Sequence, residues 1–487
     1  MLHHHNIKRY LLAGLLLASV AIASCSKFLE EPVDNRTLIV TIPDMEKTLN
    51  QLLPYSDHHF TDLMSDDYIF RDLAGHNVEE AVEQLLPIFE FTITRESMSA
   101  TRFLSSGFNP VTAFRRYYNC IINSLLVQKK AEEYKATSDG EAKSIAAIKG
   151  KAKAIRAYCN YMLVNLFAKQ YNPATADADA GVPFVEQYSG EPVVPYTRVS
   201  VKRMYDAVEQ DLLAALDLVA DTEASNAQFT FSKNAILALL ARVYLNKRDW
   251  DNSIKYATLL LQRRNVPLNV GKLRTEITDY AQYSSSYFNP ANPAYILMGN
   301  NTYQLLAYFW MGMYPYPARQ VMMANGADDN NDYIIQTSAL FNDFVPQKLM
   351  EFLAQTTRNG NMPLLTVDEV FFNRAEADIQ KNNGLTAASR ADLTVLIRNQ
   401  NFSLSTQNNK ISQLNGITTR QAAIDFLLLI KRIRFSSEGM RWFDIRRHSL
   451  PVEHTGRSGV YKIDGTKPEA YVIQLPTEEI TRNPGLN

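Results

Sequence analysis

Apolar side chains recur every three or four residues through most of this chain, and that helical period lapses in two long stretches. Between Glu141 and Lys169, Ala154, Ala157, Tyr158, Tyr161, Met162 and Asn165 keep the spacing, which predicts a long helix ending before Asn172-Pro173. Phe114 to Tyr134 predicts another, with Tyr118, Ile121, Ile122 and Leu125 on one face. Thr41 to Leu53 reads as a helix with Pro43 in its first turn, and Ser200 to Val219 as one opened by a serine cap. Two helix pairs follow, Lys233–Lys247 with Trp250–Arg263 and Val367–Lys381 with Ala387–Gln400. Arg420 to Phe435 is the last regular helix, before a tail of strand-like and loop segments.

The two pairs share a device. Leu240-Ala241-Arg242-Val243-Tyr244, with Ser253 twelve residues beyond Ala241, follows the Leu-small-x-x-Tyr pattern of a tetratricopeptide helix–turn–helix unit. Ala375 and Ala387 repeat the twelve-residue offset. Small residues there let two antiparallel helices approach closely. Asp249-Trp250 marks the turn of the first pair, its indole expected to fill core.

The period is lost over residues 54–110 and 265–365. The second stretch is rich in Tyr, Asn, Pro and Met, as in AQYSSSYFNPANPAY and YQLLAYFWMGMYPYPARQ. Insertions of that length in a compact domain are usually functional or disordered, and the aromatic content argues against disorder. The expected fold is therefore mostly α, one large domain over 25–487. Helical repeats at roughly 111–264 and 366–400 scaffold loop-rich ligand-face insertions at 54–110 and 265–365, and a helix-and-loop tail occupies 420–487.

The N-terminus sets location. Lys8 and Arg9 precede an apolar run, Leu11 to Ile22, of signal-peptide length, and Ile22-Ala23-Ser24-Cys25 resembles a bacterial lipobox. Residues 1–24 are read as a lipoprotein signal peptide, with Cys25 the lipidated residue. Several acyl chains give stable anchoring where a single chain holds only marginally. His3 to His5 would leave with the leader. Glu30-Glu31 resembles the acidic surface-export signal of Bacteroidetes lipoproteins, which favours the exterior face of the outer membrane.

Composition narrows the partners. The 487 residues carry a formal charge of −1, and losing Lys8 and Arg9 leaves the body near −3, so there is no basic footprint for nucleic acid. Beyond Cys25 only Cys120 and Cys159 remain, both within helical patterns and read as free buried thiols. There is no Gly-x-Ser-x-Gly elbow, His-Glu-x-x-His, phosphate-cradling loop or dinucleotide fingerprint. The histidines do not form a spaced metal set. Asp328, Asp329 and Asp332 offer hard oxygens for calcium but lack the spacing of an EF-hand loop, and a solvated acidic loop is the preferred reading. No other cofactor is expected.

Stretches in order along the chain carry a resemblance. CSKFLEEP, YYNCIINSLL, AKAIRAYCNYMLVNLFAKQYN before AGVPFV, TRVSVKRMYDAVEQDLLAALDLV, SKNAILALLARVYLNKRDWDNSIKYA, VDEVFFNRAEADI, IKRIRFSSEGMRWFDIRR and YVIQLPTEEITRNPGLN together resemble the SusD/RagB-like outer-membrane lipoproteins of Bacteroidetes. The resemblance implies tetratricopeptide-like hairpins scaffolding a ligand face. It also implies a non-enzymatic protein that caps a SusC-like TonB-dependent transporter and hands it glycans or, in some members, peptides. A surface hydrolase is the remote alternative. The substrate does not transfer, because the ligand-face segments are the family's variable part.

Of the signature, Arg434, Glu438, Gly439, Arg441, Trp442, Asp444 and Arg446, the charged residues read as structural. The 434/438, 438/441 and 441/444 pairs are opposite charges at helical neighbour spacing, bent by Gly439. Trp442 reads as core. Trp310 is then the tryptophan left for a ligand. Sugar rings offer C–H faces to aromatic platforms and hydroxyls to Asn, Asp and Arg. The candidates are Trp310, Tyr283, Tyr287, Tyr295, Tyr303, Tyr314 and Tyr316, with Asn289, Asn300, Asn301 and Arg319. Tyr68, Asp66 and Asp67 in the early loop rank second.

Overall fold

The structure, a computed structural model, describes residues 39–52, 54, 57–70, 85–91, 109–191, 194–221, 227–277, 280–302, 313–327, 333–335, 344–346, 348 and 359–486. The lipobox with Cys25, and Tyr303, Trp310, Asp328, Asp329 and Asp332, lie outside them.

Helix α1 (Ile42–Gln51) opens the described chain, with Thr41 and Asp44 forming a reciprocal capping box. A 3-10 helix, Asp57–Met64, leads to the short β1 (Ile69–Phe70). Then come α2 (Pro110–Glu133) and α3 (Asp139–Phe167). Asn109 and Ser138 cap them by accepting the Thr112 and Glu141 amides. The hairpin β2 (Ala180–Pro183) and β3 (Arg198–Ser200) feeds α4 (Val201–Leu218), where the Ser200 hydroxyl accepts the Arg203 amide as expected.

The pair α5 (Lys233–Lys247) and α6 (Trp250–Arg263) has the anticipated bounds. The turn is made by Arg248 at φ 61° and the Asp249 cap. Ala241 and Ser253 are fully buried, and the Ser253 hydroxyl donates to the Ala241 carbonyl at 3.0 Å. Trp250 is half-buried at the first position of α6, so its indole covers the core rather than fills it.

Residues 265–365 are not loop alone. They contain α7 (Val270–Glu276), α8 (Tyr280–Tyr287), β4 (Tyr295–Thr302), β5 (Met313–Tyr314), α9 (Tyr316–Ala324), β6 (Tyr333–Ile335), β7 (Phe344–Pro346) and β8 (Asn359–Thr366). Strand β4 pairs antiparallel with β8 from Tyr295↔Thr366 to Thr302↔Asn359, so the insertion leaves and rejoins the scaffold on one ribbon. Strand β5 pairs with β1, joining the insertion to the early loop.

The second pair is α10 (Val367–Lys381) and α11 (Ala387–Asn399). Ala375 is fully buried, but Ala387 is exposed, because it is the first residue after the Thr386 cap. The small residue buried on α11 is Ser389. Helix α12 (Leu404–Gly416) was not anticipated: only Lys410 and Leu414 on it are buried, which is too little apolar period to read. After α13 (Arg420–Arg434) come α14 (Arg441–His448), the hairpin β9 (Val452–Thr455) with β10 (Val460–Ile463), and the terminal α15 (Thr477–Arg482).

Helices α2 to α6 pack each on the next, and α10 packs on α6, so the two repeat pairs form one continuous layer. Helix α3 is buried on every side from Ala154 to Phe167 because it lies between α2 and α4. Bidentate arginine–carboxylate pairs tie the layer: Arg156 on Asp211 at 2.6 Å and 2.6 Å, Arg242 on Glu369 at 2.5 Å and 2.5 Å, and Arg374 on Asp392 at 2.8 Å and 2.6 Å. Cys120 on α2 and Cys159 on α3 are free and buried. No described helix is long and apolar enough to cross a membrane.

Candidate functional site: the ion-paired base of the ligand face

The residues richest in chemistry gather where α13 ends. Its last turn presents Lys431, Arg432 and Arg434. The chain then turns through Ser437 at φ 57° and Gly439 at φ 72° before α14 begins. Gly439 is required twice over. Its φ is left-handed, and an added Cβ would stand 2.7 Å from the His59 ring and 2.9 Å from that of His58. Its amide donates to both oxygens of Asp62 at 3.1 Å.

Arg434 is the hub. It donates to Asp368 at 2.5 Å, to the Tyr287 hydroxyl at 2.6 Å and to Glu438 at 3.2 Å. Glu438 also accepts from Tyr287 at 2.7 Å and from Lys348 at 2.7 Å. Burial alone would raise the Glu438 carboxyl, but the Lys348 and Arg434 cations outweigh it and hold it below the usual carboxylate range. One segment over, Arg441 grips Asp66 with both arms at 2.8 Å and 2.9 Å, and Arg432 donates to Asp67 at 2.6 Å.

This corrects the spacing argument. The 434/438 pair forms, but Arg441 reaches Asp66, and Asp444 pairs with Lys431 at 2.7 Å and Arg447 at 2.8 Å. The turn at Ser437 and Gly439 places residues 438 and 441 on different elements, so helical neighbour spacing does not apply to them. Trp442 is fully buried, as expected of core. Arg446 is buried as well, and burial pulls its guanidinium down to about 10.

The structure removes several candidate sugar platforms. Tyr283, Tyr287, Tyr295 and Tyr68 are at most 2% exposed, and Asp67 is 1% exposed. The Tyr295 hydroxyl donates to the Tyr287 carbonyl, and the Tyr68 hydroxyl to Ser437 at 3.3 Å. These rings and carboxylates pack inside the fold rather than on its surface. The space beside them, lined by Tyr283, Tyr287, Met322 and Arg434, is about 30 Å³, which is water-sized. Asp66 keeps partial exposure but is engaged by Arg441. Asn289 is exposed, its side chain accepting the Ala291 amide at 2.9 Å in a turn, and Arg319 is half-buried on α9. Asn300 and Asn301 lie on β4, Tyr314 on β5, and Tyr316 opens α9.

Sequence reasoning missed His58, His59, Asp62, Lys348 and Asp368. Only the adjacency of His58 and His59 could have drawn notice. Both imidazoles are fully buried, and burial pushes His59 down to about 4 and His58 well below its usual range. Among the described residues, no group of three His, Cys, Asp or Glu side chains could hold a metal ion.

The fold has matches among known proteins. Residues 27–245 match the family model SusD-like_3, described as "Starch-binding associating with outer membrane". Over that stretch the chain resembles the SusD-like family. Solved SusD structures superpose over nearly all of the chain. A SusD superfamily protein from Bacteroides thetaiotaomicron is 20% identical and covers 92% of this chain and 99% of its own, at a TM-score of 0.66. One from Bacteroides fragilis is 16% identical, covering 93% and 100%, at 0.68. A "SusD-like carbohydrate binding protein" from Bacteroides vulgatus is 16% identical, covering 92% and 97%, at 0.64. No curated protein matches the sequence. At these identities the structures establish the SusD fold, mostly helical and in one domain, and leave the ligand open.

Proposed function

We propose that this SusD-like protein is a surface lipoprotein that captures an oligosaccharide and delivers it, unaltered, to a SusC-like TonB-dependent transporter. The observation that carries the reading is the match of residues 27–245 to a family described as starch-binding and outer-membrane associated. The lipobox ending at Cys25 supplies the anchor, so the protein hangs from the outer membrane by lipid and faces outward. Capture needs a rigid base with variable loops above it. The Arg434–Glu438–Asp368 cluster supplies that base, since each charge is paired and the space beside it is only water-sized. The insertion it supports contributes Trp310 as the principal stacking ring, with Tyr303, Tyr314, Tyr316, Asn300, Asn301 and Arg319 as further contacts.

The test is calorimetric titration of the leader-free protein with plant and host oligosaccharide panels and, separately, with peptide pools. Heat from a sugar, with the sugar recovered intact, is the expected result. Heat from peptides alone would move the protein to the peptide-uptake branch. Cleavage of a sugar would make it a hydrolase.

A further inference from the structure

A second open space lies far along the chain from the insertion. It is a cleft of about 640 Å³ between the start of α2, the β2–β3 connection and the C-terminal tail. That volume is within the range of small-molecule sites, whereas the cavities at the ion-paired base are about 30 Å³. Its floor is apolar and buried: Phe114, Pro183, Val185 and Leu486. Its walls are half-buried and aromatic: Tyr118, Tyr188 and Tyr196.

The cleft is built, not a gap between mobile ends. The Tyr118 hydroxyl donates to the Pro183 carbonyl at 2.7 Å, fastening α2 to β2. The Tyr196 amide donates to the Asn483 side chain at 3.2 Å, fastening the connection to the tail. Gly190, at φ 80°, turns the chain behind Tyr188, and the Ser189 hydroxyl accepts the Glu191 amide at 3.1 Å across that turn.

Several polar groups around the rim keep no side-chain partner among the described residues. Arg115, Glu191, Glu479 and Arg482 make no side-chain hydrogen bond or ion pair among the described residues, nor do the hydroxyls of Tyr188 and Tyr196. The two cations and two carboxylates leave the cleft without net charge. That balance suits neither an anion such as a phosphate nor an acidic peptide. It suits a neutral ligand dense in hydroxyls, which can use guanidinium and carboxylate groups together while laying its C–H faces on tyrosine.

We infer that this cleft is a second saccharide-binding site, taking a short neutral oligosaccharide segment apart from the insertion. The inference rests on the oligosaccharide reading above. A second contact on the same molecule would hold a long polymer at two points, and its gain would come from effective concentration.

The test titrates the purified full-length protein with neutral oligosaccharides of increasing length, maltose to maltoheptaose and the corresponding xylan and mannan series. Tyr188→Ala, Arg482→Ala and Trp310→Ala are compared with the parent, each checked for an unchanged melting temperature. Two binding steps are expected in the parent. Tyr188→Ala and Arg482→Ala each weaken one of them at least about tenfold and leave the other intact, and Trp310→Ala does the reverse. A single step untouched by both cleft variants would overturn the second site and keep the capture reading. No sugar heat from the parent would overturn the capture reading itself. Arg482 is exposed and unpartnered, so its variant tests binding without threatening the fold.

Discussion

The base under the insertion and the cleft at the C-terminal tail are made of the same residue types, tyrosine, arginine, glutamate and asparagine or aspartate, yet they differ in what those residues have left to give. At the base Arg434, Glu438, Asp368, Tyr287 and Lys348 pair with one another beside water-sized space, leaving of the hub only the buried Arg434 Nη2 without a hydrogen bond among the described residues. At the cleft Arg115, Glu479, Arg482 and two tyrosine hydroxyls line open volume with no side-chain partner among the described residues. Aromatic and charged composition therefore does not identify a binding surface. Burial and pairing do, because a buried charge must be neutralised by its neighbours whereas a half-buried one is free to meet a ligand.

Removing one partner at the base has the largest expected effect. Asp368→Ala takes from the buried Arg434 the nearer of its two carboxylates, leaving only Glu438 at 3.2 Å, and should cost about 3–5 kcal/mol, read by urea unfolding. A loss comparable to that of a surface variant would break the contrast between the two regions.

Acid should act next, through the same region. His59 is held down to about 4 by burial, so between the ordinary imidazole value of 6.5 and about 4 the unfolded chain binds a proton that the fold refuses. Stability at this residue therefore falls as pH drops through that window, by about 3 kcal/mol in all, and no further below it. Glu438, held low by Lys348 and Arg434 against the effect of burial, adds a loss below its unfolded value. Asp57 works in the opposite sense. Burial raises it to about 6 despite Arg116, so the fold keeps a proton that the unfolded chain releases. Comparing the parent with His59→Gln isolates the imidazole. The drop in unfolding free energy between pH 7 and pH 4.5 should shrink in the variant, and an unchanged drop would remove His59 from the balance.

A smaller effect belongs to close packing in the helical layer. Ala241→Leu forces extra methylenes between α5 and α6, where Ser253 already bonds to the Ala241 carbonyl, and should cost about 1–3 kcal/mol. Ala387→Leu, at the exposed start of α11, should change stability by less than about 0.5 kcal/mol. Equal costs at the two positions would restore the twelve-residue symmetry that the structure denies. The smallest effect is expected at the cleft rim, where Arg482→Ala should leave the unfolding midpoint within about 0.5 kcal/mol of the parent.

Legibility followed the same divide. Helices α2 to α6, α10, α11 and α13 were readable because each has an apolar period, reinforced in places by start or turn chemistry such as the Ser200 cap and the Asp249-Trp250 turn. Helix α12 was hidden because little of it is buried. The partners of Arg441 and Arg432 were hidden for another reason. Asp66 and Asp67 are more than three hundred residues away in the chain, and the turn that brings them near depends on two left-handed residues. The insertion was recognisable from its composition, but its rings could not be sorted. Tyr283, Tyr287 and Tyr295 look the same in sequence as an exposed tyrosine would. Tyr118 and Ile122 were expected on one face of α2 with Ile121 and Leu125. The latter two are core, while Tyr118 and Ile122 open onto the cleft.

The most direct measurement is a calorimetric comparison of Trp310→Ala and Tyr287→Phe with the parent, using the oligosaccharide that gives the parent its strongest heat. Trp310→Ala should lose affinity at the insertion while melting as the parent does. Tyr287→Phe, which removes only a buried hydroxyl shared by Arg434 and Glu438, should melt lower and bind with unchanged affinity. Full affinity in Trp310→Ala, or lost binding in a Tyr287→Phe protein of unchanged stability, would contradict the proposed division between an ion-paired base and a ligand face on the insertion.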